Sequence, residues 1–576
     1  MTDAEDQVAA AQQALAEAQA ALAAAQAAAA ASTLVDAEPT APGSTVGSSD
    51  AARPLSDAEV AAVRAGYSFD APALEMGALV NGAPLADVPI RIPLAMVNRH
   101  GLVAGATGTG KTKTLQVLAE QLSAAGVPVF AADIKGDLSG IATAGTATAA
   151  LLERAGGIGQ HWTPAAAPTE FFTLGGLGTG IPIRASVKGF GPLLLSKVLG
   201  LNPTQESSLG LVFHYAEQAQ LPLVDLSDLR SVLMYLIGDE GKAELASLGG
   251  LSRATTGVIL RELVTFSDQG ADVFFGEPSI DVQQFLRLAP DGVRGIVSLL
   301  EVPSVQDKPE LFSTFLMWLL SELYRALPEA GDLPKPKLVF FFDEAHLLFN
   351  GASKDFLQLV TQTVRLVRSK GVGIFFVTQT PKDVPGDVLA QLGSRVQHQL
   401  RAHTPDDARA LKATVSTYPI SGYDLAQVLQ NLGTGEAIVT VMNEKGAPSP
   451  VAWTRVRTPQ SSMSPSSPER LAATVAASPL LARYGIPVDP VSAREILEQK
   501  QKQKQKQKQK LAAVAAVATE AQAQAPVQSP RIGAAPRRAK AERAAAAPPE
   551  RRQREATAGV KIARLVVAKL FGSTRR

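Results

Sequence analysis

Gly105-Ala-Thr-Gly-Thr-Gly-Lys111-Thr112 decides how this chain is read. It fits the spacing G-x-x-x-x-G-K-[ST] without a gap. The apolar run Gly101–Ala104 stands before it, and Leu115-Gln-Val-Leu-Ala opens a helical pattern after it. Strand, glycine loop and helix in that order form a phosphate cradle. Gly105, Gly108 and Gly110 let backbone N–H groups turn inward, and the helix N-terminus adds the positive end of its dipole. The expectation is that Gly105, Ala106, Thr107, Gly108, Thr109, Gly110, Lys111, Thr112 and Lys113 line the phosphates of ATP. Lys111 supplies a cation to the β and γ groups, and Thr112 offers its hydroxyl to Mg²⁺.

Three further segments end apolar runs in polar residues. Lys337-Leu-Val-Phe-Phe-Phe-Asp343-Glu344-Ala-His346 reads as a buried strand closed by two acids. Asp343 is the expected Mg²⁺ ligand of Walker B type, and Glu344 the base that polarises the attacking water. The plain alternative is an acid pair at the start of the next helix. Gly373-Ile-Phe-Phe-Val-Thr378-Gln379 has the same form. Strand C-termini of an open parallel sheet face the ligand crevice, so Gln379 is a candidate to contact the γ-phosphate or the water. Otherwise it is a polar turn residue before Pro381. Asp133 and Asp137 in Asp-Ile-Lys-Gly-Asp suit either a contact with Mg²⁺ or water, or an Asx-type turn. Arg99, Arg365 and Arg368 are candidates to neutralise charge developing on the γ-phosphate, within the subunit or across an interface, with surface charge or structural pairing as the alternative for each.

Strands are drawn at Gly101–Ala104, Val127–Ala132, Gly295–Leu300, Leu338–Phe342, Gly373–Val377, Arg395–Leu400 and Ala437–Met442, alternating with helical stretches, and several of them are continuous apolar runs. Continuous apolar strands of this kind suit a parallel sheet covered on both faces. The fold expected is α/β: a RecA-like core with a mainly parallel sheet flanked by helices, drawn over 96–144 and 291–460. Residues 145–290 read as a mainly helical insertion, on the periodicity of Gly191–Leu199, Ser227–Leu236 and Gly257–Phe266. Residues 55–95 read as a short β-rich lead-in with an Asn81-Gly82 turn, and 461–497 as short C-terminal helices. The Ala-rich stretch 1–54 reads as a helix and linker, disordered overall. Residues 498–576 read as a basic low-complexity tail, with a short amphipathic helix at Val560–Phe571.

The 576 residues leave room for two or three domains. A net charge of +1 hides an asymmetry: residues 497–576 hold 19 Lys/Arg against 5 Asp/Glu, a surplus of +14, so the remainder carries −13. Such a tail suits an anionic partner, DNA or a membrane surface, or a protein groove; a solvated tail without a dedicated partner is the alternative. The absence of cysteine excludes disulfides, thiolate zinc sites and thiol catalysis. Asp3, Glu5 and Asp6 stand where a signal peptide would be basic, and no run of ~18–20 strongly apolar residues is present. A cytoplasmic protein is expected.

Taken together, Arg99-His100 before the glycine loop, Asp343-Glu344-Ala-His346 and Thr378-Gln379 resemble the HerA/FtsK group of P-loop ATPases. More narrowly, DIKGDLSG at 133–140, GPLLLSKVLGLN at 191–202, ELVTFSDQGADVFFGEPSID at 262–281 and LGTGEA at 432–437 resemble a bacterial branch of HerA-like helicase C-terminal proteins. The resemblance spans roughly residues 70–495. It implies a hexameric, ATP-hydrolysing motor acting on double-stranded DNA, a helicase or translocase. It also implies a cis arginine at Arg368 or Arg365 and Arg99 as the finger reaching the neighbouring subunit's site. Motors of the HerA type carry an N-terminal β-barrel, for which residues 55–95 are too few. The rival reading is an ATP-dependent assembly or signalling switch acting on a protein or membrane partner.

Overall fold

A computed structural model describes residues 55–245, 249–302, 309–349 and 354–523. The expected helices within 1–32 and at Val560–Phe571 lie outside them. Among the described residues the strands are β1 (Ala73–Asn81), β2 (Ala83–Pro93), β3 (Gly101–Ala104), β4 (Val129–Asp133), β5 (Thr169–Leu174), β6 (Ile181–Ile183), β7 (Val297–Glu301), β8 (Leu338–Phe342), β9 (Val372–Thr378), β10 (Ser394–Gln397), β11 (Glu436–Thr440) and β12 (Ala452–Val456). They form one sheet in the order β2-β1-β12-β11-β10-β3-β9-β8-β4-β7-β5-β6.

From β10 across to β6 every neighbouring pair is parallel. From β10 outward through β11, β12, β1 and β2 every pair is antiparallel. The fold is the α/β class expected, a large mainly parallel sheet flanked by helices. Every residue of β3, β4, β7, β8 and β9 is buried, which is why these strands read as continuous apolar runs rather than alternating ones. Phenylalanines from adjacent strands meet across the sheet: Phe341 and Phe375 at 5.4 Å, Phe342 and Phe376 at 5.6 Å between ring centroids. Helix Pro309–Ala326 buries Phe312, Phe315, Leu316, Leu319 and Leu323 in the same core.

Three stretches differ from the sequence expectation. Residues 145–290 are not helical throughout, because β5 and β6 extend the parallel sheet beyond β7. Thr and Glu interrupt the apolar residues of β5, and β6 has only three residues, so neither gives a continuous apolar run. Residues 55–95 do not stand apart as a lead-in: β1 and β2 form a hairpin through Gly82 (φ +78°) that pairs with β12 on the same sheet. The Gln-Lys run does not interrupt the C-terminal helix, which continues from Ala493 to Ala523. Gln, Lys and Ala all favour helix, and no glycine or proline stops them. The chain divides into two units, 1–502 and 503–576, and the described part of the second is the distal portion of this helix. No helix among the described residues is long and apolar enough to cross a membrane.

The antiparallel half is tied together by Tyr67. This buried residue follows helix Asp57–Gly66, which Ser56 and Glu59 close with reciprocal side-chain-to-backbone bonds. The Tyr67 hydroxyl lies 2.9 Å from the carbonyl oxygens of both Val439 and Pro450. Replacing Tyr67 with Phe leaves those carbonyls without their donor, at a cost of about 1–3 kcal/mol. A lowered melting temperature with unchanged far-ultraviolet circular dichroism is the expected result; an unchanged melting temperature would mean that water replaces the hydroxyl.

Candidate functional site

The glycine loop leaves β3 and enters helix Lys111–Ala124. Gly105, Gly108 and Gly110 have φ of +155°, +81° and +113°, values that side chains resist. A Cβ on Gly105 would stand 2.5 Å from that of His398, and one on Gly110 would stand 3.2 Å from the Cα of Gly435. The loop is held from both sides. Gly105 N donates to Thr378 O at 3.2 Å, Ala106 N to Gln399 O at 2.8 Å, and Gly435 N to Thr109 O at 3.0 Å. Lys111 is buried and folds back over the loop, its Nζ donating to Gly105 O at 2.7 Å and Ala106 O at 3.2 Å. Burial draws its pKa below the ordinary value, against the pull of Glu344 and Asp343.

Acids gather where β4, β7 and β8 end. Asp343 follows β8, and burial first, then Glu344 beside it, pushes its carboxyl up to about 7. Burial, with Asp133 and Asp137 nearby, pushes Glu301 at the end of β7 up to about 8. Burial also raises Asp133, at the end of β4, to about 6, although its carboxylate accepts N–H bonds from Gly136 and Leu138, each at 2.8 Å. Asp137 Oδ2 lies 3.3 Å from the Thr112 hydroxyl. Buried oxygens of Asp137 (Oδ1), Glu301 (Oε1) and Glu344 (Oε2) have no hydrogen-bond partner, in a cluster short of positive charge.

Glu344 adopts φ +47°, a left-handed conformation that costs a residue with a side chain about 1–3 kcal/mol. Its backbone N donates to Asp343 Oδ1 at 2.9 Å. Its Oε1 is paired with the Lys135 ammonium, and His346 Nδ1 stands 3.2 Å from Oε2, out of line for a hydrogen bond. Burial opposes the Glu344 carboxylate, yet the bond and charge of Lys135 together outweigh it and hold the pKa below the ordinary value.

These residues suit Mg²⁺ bound together with a phosphate chain. No three Asp, Glu, His or Cys side chains among the described residues could hold a metal ion by themselves. A Mg²⁺ taking one hydroxyl from Thr112, one carboxylate from Asp343 and its other ligands from phosphate and water needs no such group.

The remaining expected residues separate into two places. Exposed Gln379 follows β9 and lines a cavity of about 420 Å³ with Ala106, Thr107, Asp383, Arg401 and Asp407, beside the loop. Thr378, just before it, is buried and bonds through its hydroxyl to Asp383 Oδ2 at 2.6 Å. The three arginines lie at the opposite edge of the sheet. Arg99 precedes β3, and Arg365 and Arg368 precede β9, so they stand where the parallel strands begin and the loop stands where they end. β9 alone separates Arg368 from the loop edge by roughly 20 Å, at about 3.3 Å per residue. Neither Arg365 nor Arg368 can therefore reach its own loop, which corrects the cis role expected for them.

Other residues take part that the motifs did not point to. His398 is fully buried beneath the loop. Its Nδ1 stands 2.8 Å from Glu436 O, and its Nε2 stands 2.9 Å from the Thr114 hydroxyl. A carbonyl only accepts, so Nδ1 carries the proton and Nε2 accepts from Thr114. Gly435, pressed against Gly110, also accepts at its carbonyl from Arg154 Nη2 at 2.9 Å. Residues 460–463 lie along the loop helix, where Gln460 N and Ser461 N donate to Glu120 at 2.8 and 2.9 Å and Lys113 Nζ donates to Met463 O at 2.7 Å.

A glycine cradle between a buried strand and a helix, with a lysine folded into it and an acid pair two strands away, defines a P-loop nucleoside triphosphatase. The family model described as Helicase HerA-like C-terminal matches residues 79–576, and the chain belongs to that family. A probable helicase of Methanocaldococcus jannaschii is 30% identical over 150 residues, 25% of this chain and 28% of the relative. The DNA double-strand break repair helicase HerA of Saccharolobus solfataricus is 22% identical over 393 residues, 68% of this chain and 70% of the relative. The chain thus spans less than a third of the first of these relatives and about two thirds of the second. Among solved structures, the bacterial conjugative coupling protein TrwB aligns with TM-score 0.46 at 16% identity, covering 73% of this chain and 96% of that one. VirB4 of Thermoanaerobacter pseudethanolicus aligns with TM-score 0.41 at 13% identity, covering 70% and 100%.

Burial pushes His398 down from the ordinary 6.5 to about 4. The unfolded chain therefore takes up this proton before the folded chain does. The stability that the neutral ring contributes is present above pH 6.5 and is lost as the pH falls from 6.5 towards 4, by about 3 kcal/mol in all. His398→Gln should flatten that part of the acid limb in a series of melting temperatures. An acid limb identical to that of the wild type would show that His398 is not buried neutral.

Proposed function

We propose that the chain hydrolyses ATP with Mg²⁺ at the loop Gly105–Thr112, as a DNA-acting motor of the helicase or translocase type, and that it works as a homo-oligomer, a hexameric ring. What carries the hydrolytic reading is the meeting of Lys111, Asp343 and Glu344 at one edge of the sheet, with buried carboxylate oxygens left unpaired. The backbone N–H groups of the cradle bind the phosphates, and Lys111 exchanges its two carbonyl contacts for phosphate oxygens. Thr112 and Asp343 hold Mg²⁺, which supplies charge neutralisation on the transferred group. Glu344 orients a water for in-line attack and takes its proton, and Gln379 contacts the water or the γ-phosphate.

Family membership and the name of the Saccharolobus relative support DNA as the substrate. The lysines from Lys500 to Lys510 on the C-terminal helix offer a phosphate-binding charge. Arg99, exposed Arg365 and exposed Arg368 share the edge opposite the loop, and we assign to Arg99 first the role of reaching a neighbouring copy's γ-phosphate.

ATP turnover by the full chain tests this reading. Glu344→Gln should lower kcat by roughly two or more orders of magnitude with nucleotide binding retained. Lys111→Ala should lose binding as well. Duplex DNA should stimulate wild-type turnover, and the stimulation should weaken with salt. Turnover unchanged in Glu344→Gln removes the mechanism; a rate indifferent to duplex DNA, single-stranded DNA and RNA at every salt concentration removes the substrate.

A further inference from the structure

Lys135 has no part in the mechanism above, yet it holds that mechanism's base. It lies two residues beyond the end of β4, and Glu344 lies two beyond the end of β8. These strands are hydrogen-bonded neighbours in register, Ala132 opposite Phe342, so the two side chains leave the sheet at one point. The Lys135 ammonium is paired with Glu344 Oε1. Glu344 is almost wholly buried, whereas 42% of the Lys135 side chain is exposed towards solvent. Lys135 is also close enough to Lys111 for the two cations to repel. Two lysines thus stand at one crevice, one folded onto loop carbonyls and the other onto the catalytic carboxylate.

We propose that Lys135 is a positioning residue that reads the γ-phosphate. Without a triphosphate it clamps Glu344. When a triphosphate occupies the loop, the ammonium transfers its ion pair to the γ-phosphate oxygens and leaves Glu344 free to orient water. The inference rests on the hydrolytic reading and assigns its regulation. A diphosphate reaches the cradle but offers Lys135 no γ-oxygen, so the clamp stays closed. A ligand moves such an equilibrium only by its differential affinity for the two states.

Equilibrium binding of ADP and of the β,γ-imido analogue of ATP, both with Mg²⁺, to the full chain reads the clamp directly. Lys135→Met should cut the preference for the analogue over ADP by about tenfold, within the usual range of site-to-site coupling, with ADP affinity nearly unchanged. Lys135→Arg keeps the cation and should restore most of the preference; equal thermal melts of the two variants separate this from a folding defect. Glu344→Gln weakens the competing ion pair and should tighten analogue binding, and that gain should vanish in Lys135→Met/Glu344→Gln. An analogue-to-ADP preference equal in wild type and Lys135→Met overturns the clamp while leaving the hydrolytic reading standing. Failure of the wild type to bind either nucleotide overturns both.

Discussion

The direction of eight strands is the constraint on which the rest of this structure depends. From β10 to β6 the sheet is parallel, so every strand in that run leaves it at the same edge. The loop after β3, Asp133 at the end of β4, Glu301 at the end of β7, the acid pair after β8, Gln379 after β9 and His398 after β10 are brought together for this reason alone. Backbone register sets their relative height: Ala104 pairs with Thr378 and Gln397, and Ala132 with Leu300 and Phe342. A slip of one residue on any of these strands would turn its terminal polar group to the other face of the sheet.

Convergence at one edge has an electrostatic consequence. Carboxylates arriving on three neighbouring peptide segments lose water to the sheet and to one another. Asp343 and Glu301 are pushed into the neutral range of pH as a result, and Glu344 escapes only by taking Lys135 as a partner. Lys111 donates to backbone carbonyls of the loop. Polar groups left this poorly matched lower stability by themselves, and a ligand that brings both negative phosphate and a divalent cation relieves both mismatches at once.

Legibility in the sequence followed how local each cause was. The glycine loop and the acid pair could be read because short stretches dictate them: φ values open to glycine, and an unbroken apolar strand ending in charge. β5 and β6 could not, since Thr169, Glu170 and Thr173 break the apolar run of the one and Ile181–Ile183 is only three residues long, amid helical neighbours. His398 and Gly435 act through contacts with residues hundreds of positions away, so that neither His398 nor the segment LGTGEA around Gly435 shows in the sequence what it touches. Glu301 was within reach: it ends the short run Val-Ser-Leu-Leu, apolar except for Ser298, much as Asp343 follows an all-apolar strand. The cis role expected for Arg365 or Arg368 fails for a geometric reason. A residue before a parallel strand and a residue after it stand at opposite edges, so Arg368 before β9 and the loop after β3 could never have met within one chain.

That separation bears on assembly. The crevice edge of the chain holds the lysines and the acids, and the far edge holds Arg99, Arg365 and Arg368. Among the described residues Arg99 has one ion pair there, a long one to Asp332 at 3.9 Å, itself fully exposed. If a guanidinium completes the site, as the proposed function requires, it must come from the far edge of another copy. Such a contact joins two different surfaces and is heterologous. Each copy then gives an arginine to one neighbour and receives one from the other, so that either a closed ring or an open filament follows, and a two-fold dimer joined through one self-complementary patch does not. The hexameric ring proposed above is the closed case of this rule, and in it every site is complete only when the ring is closed.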